Sequence, residues 1–208
     1  MDPIASKIFI YCVIVLSAVV HEYSHGFIAN ELGDPTAKNA GRLTLNPLAH
    51  LDPVGTVLVP LFLLFTSGAF IGWAKPVPYN PWNIRDPKGE LKIAIAGPIS
   101  NFVLAIGISL IFWILGMLIP GISEGILPLL VAQIIYVNIV LALFNLIPIP
   151  PLDGSKVLGH ILPSKFQNVL SSAGIFGILI ALFIAMLIIP PVASLVFNLI
   201  TGFGAVFG

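Results

Sequence analysis

Four stretches of this chain, residues 8–29, 93–117, 129–147 and 169–189, are apolar enough and long enough to cross a lipid bilayer. A hydrocarbon core of roughly 30 Å takes about 20 helical residues. Inside it, every backbone N–H and C=O needs a protein partner, so such stretches take the form of helices. Only 9% of the 208 residues are charged, against about a quarter in a soluble domain. The expected fold is therefore an all-α polytopic membrane protein, with lipid as its main surroundings. A fifth run, 192–207, is short, and a sixth, 54–70, is broken by Pro60 and bounded by Gly55 and Gly68. Together these runs lead to an expectation of about five or six transmembrane helices.

Charge placement sets the expected orientation. Lys38, Arg42, Lys75, Arg85, Lys88 and Lys92 lie between the first span and the span starting near residue 93, and Lys156 and Lys165 follow the span ending near 147. The connector 118–128 has no Lys or Arg. By the positive-inside rule both basic regions face the cytoplasm. Spans 8–29 and 129–147 then run in one direction and 93–117 in the other. Segment 54–70 must return to the face it left, as a re-entrant segment buried in protein or lining a wet cavity. A full crossing is the alternative, and it would strand basic residues outside.

Net charge is zero, and no basic face points to nucleic acid. Cys12 is the one cysteine and lies mid-span, where it reads as a small packing residue. Lys7 precedes an apolar run, as in a signal peptide, but the run continues into HEYSH without a small-residue cleavage site. It is expected to remain as a span.

The first span carries HEYSH at 21–25. Residues four apart on a helix share a face, so His21 and His25 can present two imidazole nitrogens to one point, with Glu22 beside them. Two histidines and one further ligand hold Zn2+ with a position left for water, whose pKa falls to about 7. Glu22 is then placed to take that water's proton and pass it to a leaving amine. A chance HExxH on a solvated helix would carry less weight. In lipid an acid at mid-helix costs about 2.5–3.5 kcal/mol, which marks it as functional.

The third ligand must come from elsewhere in the chain. His50, Asp52, Glu124, Asp153 and His160 are the candidates in or beside apolar segments. Asp153 is favoured because NLIPIPPLDG at 145–154 sets it just after prolines 148, 150 and 151, which should unravel the span's end into an extended segment. Gly154 allows a tight turn after it. The parallel direction of spans 8–29 and 129–147 would bring His21, His25 and Asp153 to one depth. His50 and His160 have no partner at ligand spacing and read as interfacial or structural.

These residues resemble the site-2 protease family of intramembrane zinc metalloproteases. HEYSH fits its HExxH, AGPISN at 96–101 its GPxxN helix, and NLIPIPPLDG its NxxPxPxLDG. GRLTLNPLAHLDPVGT at 41–56 and GWAKPVPYNP at 72–81 are similar to the connector of its compact branch without a PDZ domain. The resemblance covers about residues 8–160. It implies cleavage of a peptide bond within or near the transmembrane helix of a membrane-protein substrate, with one Zn2+ at His21, His25 and Asp153 and Glu22 as base. With the charge placement above, the expected localisation is a multi-pass protein of the cell membrane, with its active site toward the cytoplasm.

Asn101 and Asn145 match the family's two intramembrane asparagines. Their amides have two candidate uses: hydrogen bonds to helix neighbours, or to the backbone and oxyanion of an unwound substrate. Residues 42–47 alternate apolar and polar and read as a small β-hairpin near the active site. That hairpin would either add an extended substrate as a strand or fill the cavity mouth. Residues 1–160 are expected to form the catalytic membrane core and 161–208 supporting helices of the same domain. Substrate choice is then expected to rest on the membrane part or on a separate regulatory partner. A membrane zinc or proton transporter is the rival reading. It predicts polar residues strung through several spans, whereas here they gather at one end.

Overall fold

A computed structural model describes residues 2–60, 62, 74–161 and 174–202. The chain divides into two compact units, Pro3–Gly97 and Pro98–Gly208 with Met1–Asp2. Among the described residues the regular structure is helical, with no strand.

In the first unit, α1 spans Pro3–Glu31 and is apolar along most of its length. At 1.5 Å per residue its 29 residues reach about 44 Å, more than a hydrocarbon core requires. The helix stops where Gly33 adopts φ of 104°. Gly33 N–H donates to Asn30 O (3.1 Å) and Asp34 N–H to Ala29 O (2.9 Å). This paired closure satisfies two terminal carbonyls and needs a residue that tolerates positive φ.

Asp34 then organises the chain beyond the helix. Its buried carboxylate accepts from Thr36 Oγ1 (2.5 Å), Thr36 N (3.2 Å), Asn80 N (2.6 Å) and Asn83 Nδ2 (2.8 Å). Burial pushes this carboxyl up, but the hydrogen bonds from Thr36, Asn83 and Asn80 outweigh it and hold the group below the usual carboxylate range. The short helix α2, Thr36–Asn39, and the 3₁₀ turn Pro81–Asn83 are thereby clipped to the end of α1.

The strand-like pattern at 42–47 does not become a hairpin. Residues 42–46 are irregular and lead into a 3₁₀ turn, Pro47–Ala49. Local side chains take the backbone groups that a ladder would need. Thr44 O is paired with His50 Nε2 (2.8 Å), and Leu48 N–H donates to Asn46 Oδ1 (3.1 Å). His50 is only 1% exposed, so it is structural rather than interfacial. Segment 54–70 begins as a π-helical turn, Pro53–Leu58, capped by Asp52, which accepts from Val54 N (3.0 Å) and Gly55 N (2.6 Å). Residues 61 and 63–73 lie outside the described residues, and with them the question of re-entry or crossing. The first unit closes on the start of α3, Gly89–Leu118.

The second unit contains the rest of α3, then α4 (Leu127–Asn145), α5 (Asp153–Ile161) and α6 (Gly174–Thr201). Its core joins Ala105 of α3, Ile135 and Ile139 of α4, Ile147, and Ile189 and Ala193 of α6. Leu110, Trp113, Leu129, Phe183, Met186 and Leu199 point outward and remain exposed. That is the expected arrangement where lipid, not water, is the solvent.

Among the described residues, four helices are long and apolar enough to cross a membrane: Pro3–Glu31, Gly89–Leu118, Leu127–Asn145 and Leu182–Thr201, the last within α6. The separate runs 169–189 and 192–207 are corrected by this helix, which continues through Pro190 and Pro191. Each proline forfeits one intrahelical donor. Packing of Ile189 and Ala193 on either side keeps the helix whole, and prolines are tolerated in transmembrane helices because neighbouring helices and local adjustment re-satisfy the freed carbonyls.

Candidate metal centre

The site is built from α1 upward. His21, Glu22 and His25 occupy one turn of that helix, so their side chains leave it on adjoining faces. His21 is buried at 6% exposure, and the two imidazoles meet edge to face with centroids 4.7 Å apart.

Their aim is shown by Gly97 on α3. A Cβ built there would lie 2.5 Å from His25 Nε2 and closer still to His21 Nε2. Both Nε2 atoms therefore converge on the small space that this glycine leaves open. His25 Nδ1 lies 2.7 Å from Ile93 O, one turn earlier on α3. A carbonyl has no proton to give, so Nδ1 carries the hydrogen and Nε2 keeps its lone pair for a metal. Two imidazole Nε2 atoms facing a glycine-lined recess fit a zinc ion, which prefers such nitrogen donors.

Glu22 is held from the connector. Its Oε2 accepts a hydrogen bond from Val77 N (2.8 Å). Val77 itself is buried at 7% exposure.

Asp153 belongs to the second unit. Helix α4 ends at Asn145, and residues 146–152 form a run of tight turns, with Ile147 N–H donating to Phe144 O (3.1 Å) and Leu152 N–H to Ile149 O (3.0 Å). The expected extended segment is thus replaced by turns, which Gly154 makes possible. A Cβ there would lie 2.6 Å from Ile147 O and nearer still to Leu146 O. Asp153 opens α5 with 8% exposure, where a carboxylate suits the helix N-terminus. Lys156 Nζ stands 3.9 Å away.

The two asparagines differ. Asn101 is fully buried and donates through Nδ2 to Asn138 Oδ1 (2.9 Å), while Asn138 Nδ2 donates to Ile134 O (2.9 Å). Asn145 is half-buried and donates to Leu141 O (2.9 Å) of its own helix. His160 is exposed, with Nδ1 beside Lys156 O (3.0 Å). Sequence reasoning passed over Asn138, Gly97 and Val77. Asn138 was findable as an amide inside an apolar run, seven residues before Asn145 on the same helix face.

The profile of Peptidase family M50 matches residues 9–125 and 121–189. A Bacillus subtilis protein named "Putative zinc metalloprotease YwhC" is 36% identical over 199 residues, covering 93% of this chain and 86% of that protein. Rip2 of Mycolicibacterium smegmatis, named in the same way, is 28% identical over 192 residues, covering 91% and 70%. "Zinc metalloprotease MJ0392" of Methanocaldococcus jannaschii is 26% identical over 157 residues, covering 76% and 35%. No solved structure matches significantly. The expectation of a membrane metalloprotease with Zn2+ as its metal agrees with these names and with the four apolar helices. From the profile's reach along the chain and the identity to YwhC, we conclude that this protein belongs to peptidase family M50, the site-2 protease family.

Proposed function

We propose that this M50 metalloprotease cleaves a peptide bond in or near the transmembrane helix of a membrane-protein substrate. His21 and His25, through their Nε2 atoms, and Asp153, through its carboxylate, would hold one Zn2+. The observation that carries the reading is the convergence of both Nε2 atoms on the recess at Gly97, with Glu22 on the same turn of an apolar helix. Burial of the Asp153 carboxylate at the start of α5 supports its use as a ligand, since a buried carboxylate needs compensation for lost water.

When bound, Zn2+ supplies Lewis acidity that polarises a carbonyl and makes water acidic near neutral pH. The chain's own residues do the remainder. Glu22 Oε1, opposite the oxygen tied to Val77, takes a proton from the attacking water and delivers it to the departing amine nitrogen. Asn145 keeps a second amide hydrogen beyond its bond to Leu141 O, and we assign it to the substrate backbone or oxyanion. Asn101 is spent on Asn138 and serves packing between helices.

The basic connector after α1, with Lys38, Arg42, Lys75, Arg85, Lys88 and Lys92, supports a cytoplasmic orientation for the site in the cell membrane.

Glu22→Gln in the purified protein tests the reading. It should retain zinc and lose cleavage of a model single-span substrate in lipid vesicles. Cleavage at the normal rate would refute the base assignment.

A further inference from the structure

Residues 75–79 read KPVPY, and this short stretch is built around a single donor. Pro76 and Pro78 have no N–H, so Val77 supplies the only backbone donor of the three central residues. That donor goes to Glu22 Oε2 at 2.8 Å. On α1, Gly26 lies one turn beyond Glu22. A Cβ there would lie 2.9 Å from Val77 Cγ1, so this glycine provides the seat for the Val77 side chain.

The stretch is also fixed at its start. Arg42, only 9% exposed, donates through Nη2 to Lys75 O (2.7 Å) and reaches Pro76 O at 3.4 Å. Lys75 N–H donates to His50 O (3.0 Å). A buried guanidinium is costly unless it is hydrogen-bonded, and Nη2 makes its bonds to the two residues that precede Val77, while the buried Nε makes none.

We propose that residues 75–77, anchored by Arg42, form a strap that positions Glu22 for proton transfer. The Val77 N–H fixes one carboxylate oxygen and so directs the other toward the attacking water. Val77 and Arg42 are positioning residues, because they act through Glu22 and not on substrate. This inference rests on Glu22 being the base.

The test uses the full-length protein in lipid nanodiscs with a single-span substrate. An ester in place of the Val77 peptide N–H removes the donor and keeps the side chain. Arg42→Met removes the anchor, and Arg42→Lys restores one donor. We expect kcat to fall about tenfold or more in the ester protein and in Arg42→Met, the scale of a lost hydrogen bond to a charged group. KM should stay within about twofold, as expected when only a transition-state contribution is lost. Zinc per chain should equal that of the unmodified protein, and Arg42→Lys should recover part of kcat.

Unchanged kcat in the ester protein overturns the strap. So does a loss of kcat matched by loss of zinc, which would mark a purely structural role. Should the ester protein not fold, Arg42→Met decides, and normal kcat in it overturns the proposal. Glu22→Gln separates the strap from the base. An inactive Glu22→Gln beside a fully active ester protein leaves the base assignment standing and removes the strap, whereas an active Glu22→Gln removes both.

Discussion

His25 Nδ1 lies 2.7 Å from the carbonyl oxygen of Ile93. That contact joins α1 to the start of α3 and fixes which imidazole nitrogen carries hydrogen. The Nε2 of His25 then faces the recess at Gly97, together with that of His21. Histidine ligands of metals commonly gain their orientation from such an outer hydrogen bond, and the loss of one weakens metal binding about 10- to 100-fold.

Gly97→Ala should abolish the site by volume alone. The added methyl would occupy the space between the two Nε2 atoms. Zinc affinity should fall by at least about tenfold, the scale of a disturbed ligand shell. Elemental analysis of the purified variant, alongside its helical circular dichroism, checks this. Full zinc content would show that the ion does not use this recess.

Asp34 should act as a stability clip and not as part of the chemistry. Asp34→Ala leaves the donors of Thr36, Asn80 and Asn83 without their buried acceptor, at about 1–3 kcal/mol or more. Its carboxyl is held below the usual range in the folded protein. Its stabilising contribution is therefore present in full above the ordinary carboxylate pKa of about 3.9 and is lost as pH falls through the lower folded value. Thermal unfolding in detergent at pH 7 and near pH 3 should show a steeper acid loss for the native protein than for Asp34→Asn.

The intramembrane amides should separate by role. Asn101→Ala strands the Oδ1 of Asn138 and should lower the unfolding temperature, at about 1–2 kcal/mol for an interhelical hydrogen bond in lipid. Its kcat per folded molecule should remain close to normal. Asn145→Ala should instead reduce kcat by about 100-fold, as for a lost oxyanion donor, with little change in stability. A reversed pattern would exchange the two assignments.

Much of this was legible because lipid narrows the choices. Apolar length alone marked α1, α3 and α4, and the pairing of His21 with His25 followed from helical periodicity. Three features were hidden for identifiable reasons. Residues 42–47 alternate like a strand, yet Thr44 and Asn46 spend their groups on His50 and Leu48, and such local competition leaves no mark on the alternation. The runs 169–189 and 192–207 read as separate, yet packing around Ile189 and Ala193 carries α6 through Pro190 and Pro191 between them. The roles of Gly97 and Val77 depend on contacts with His21, His25 and Glu22, more than 50 residues away in sequence. No local pattern announces such contacts.

Above all, the proposed chemistry requires Asp153 to complete the ligand set begun by His21 and His25. Zinc content per chain, measured on purified native protein and on Asp153→Ala, tests it directly. We predict about one zinc per native chain and less than about a tenth of that in the variant, with helical content retained, because two imidazoles alone do not make a tight zinc site. A variant that keeps its zinc and still cleaves substrate would contradict it.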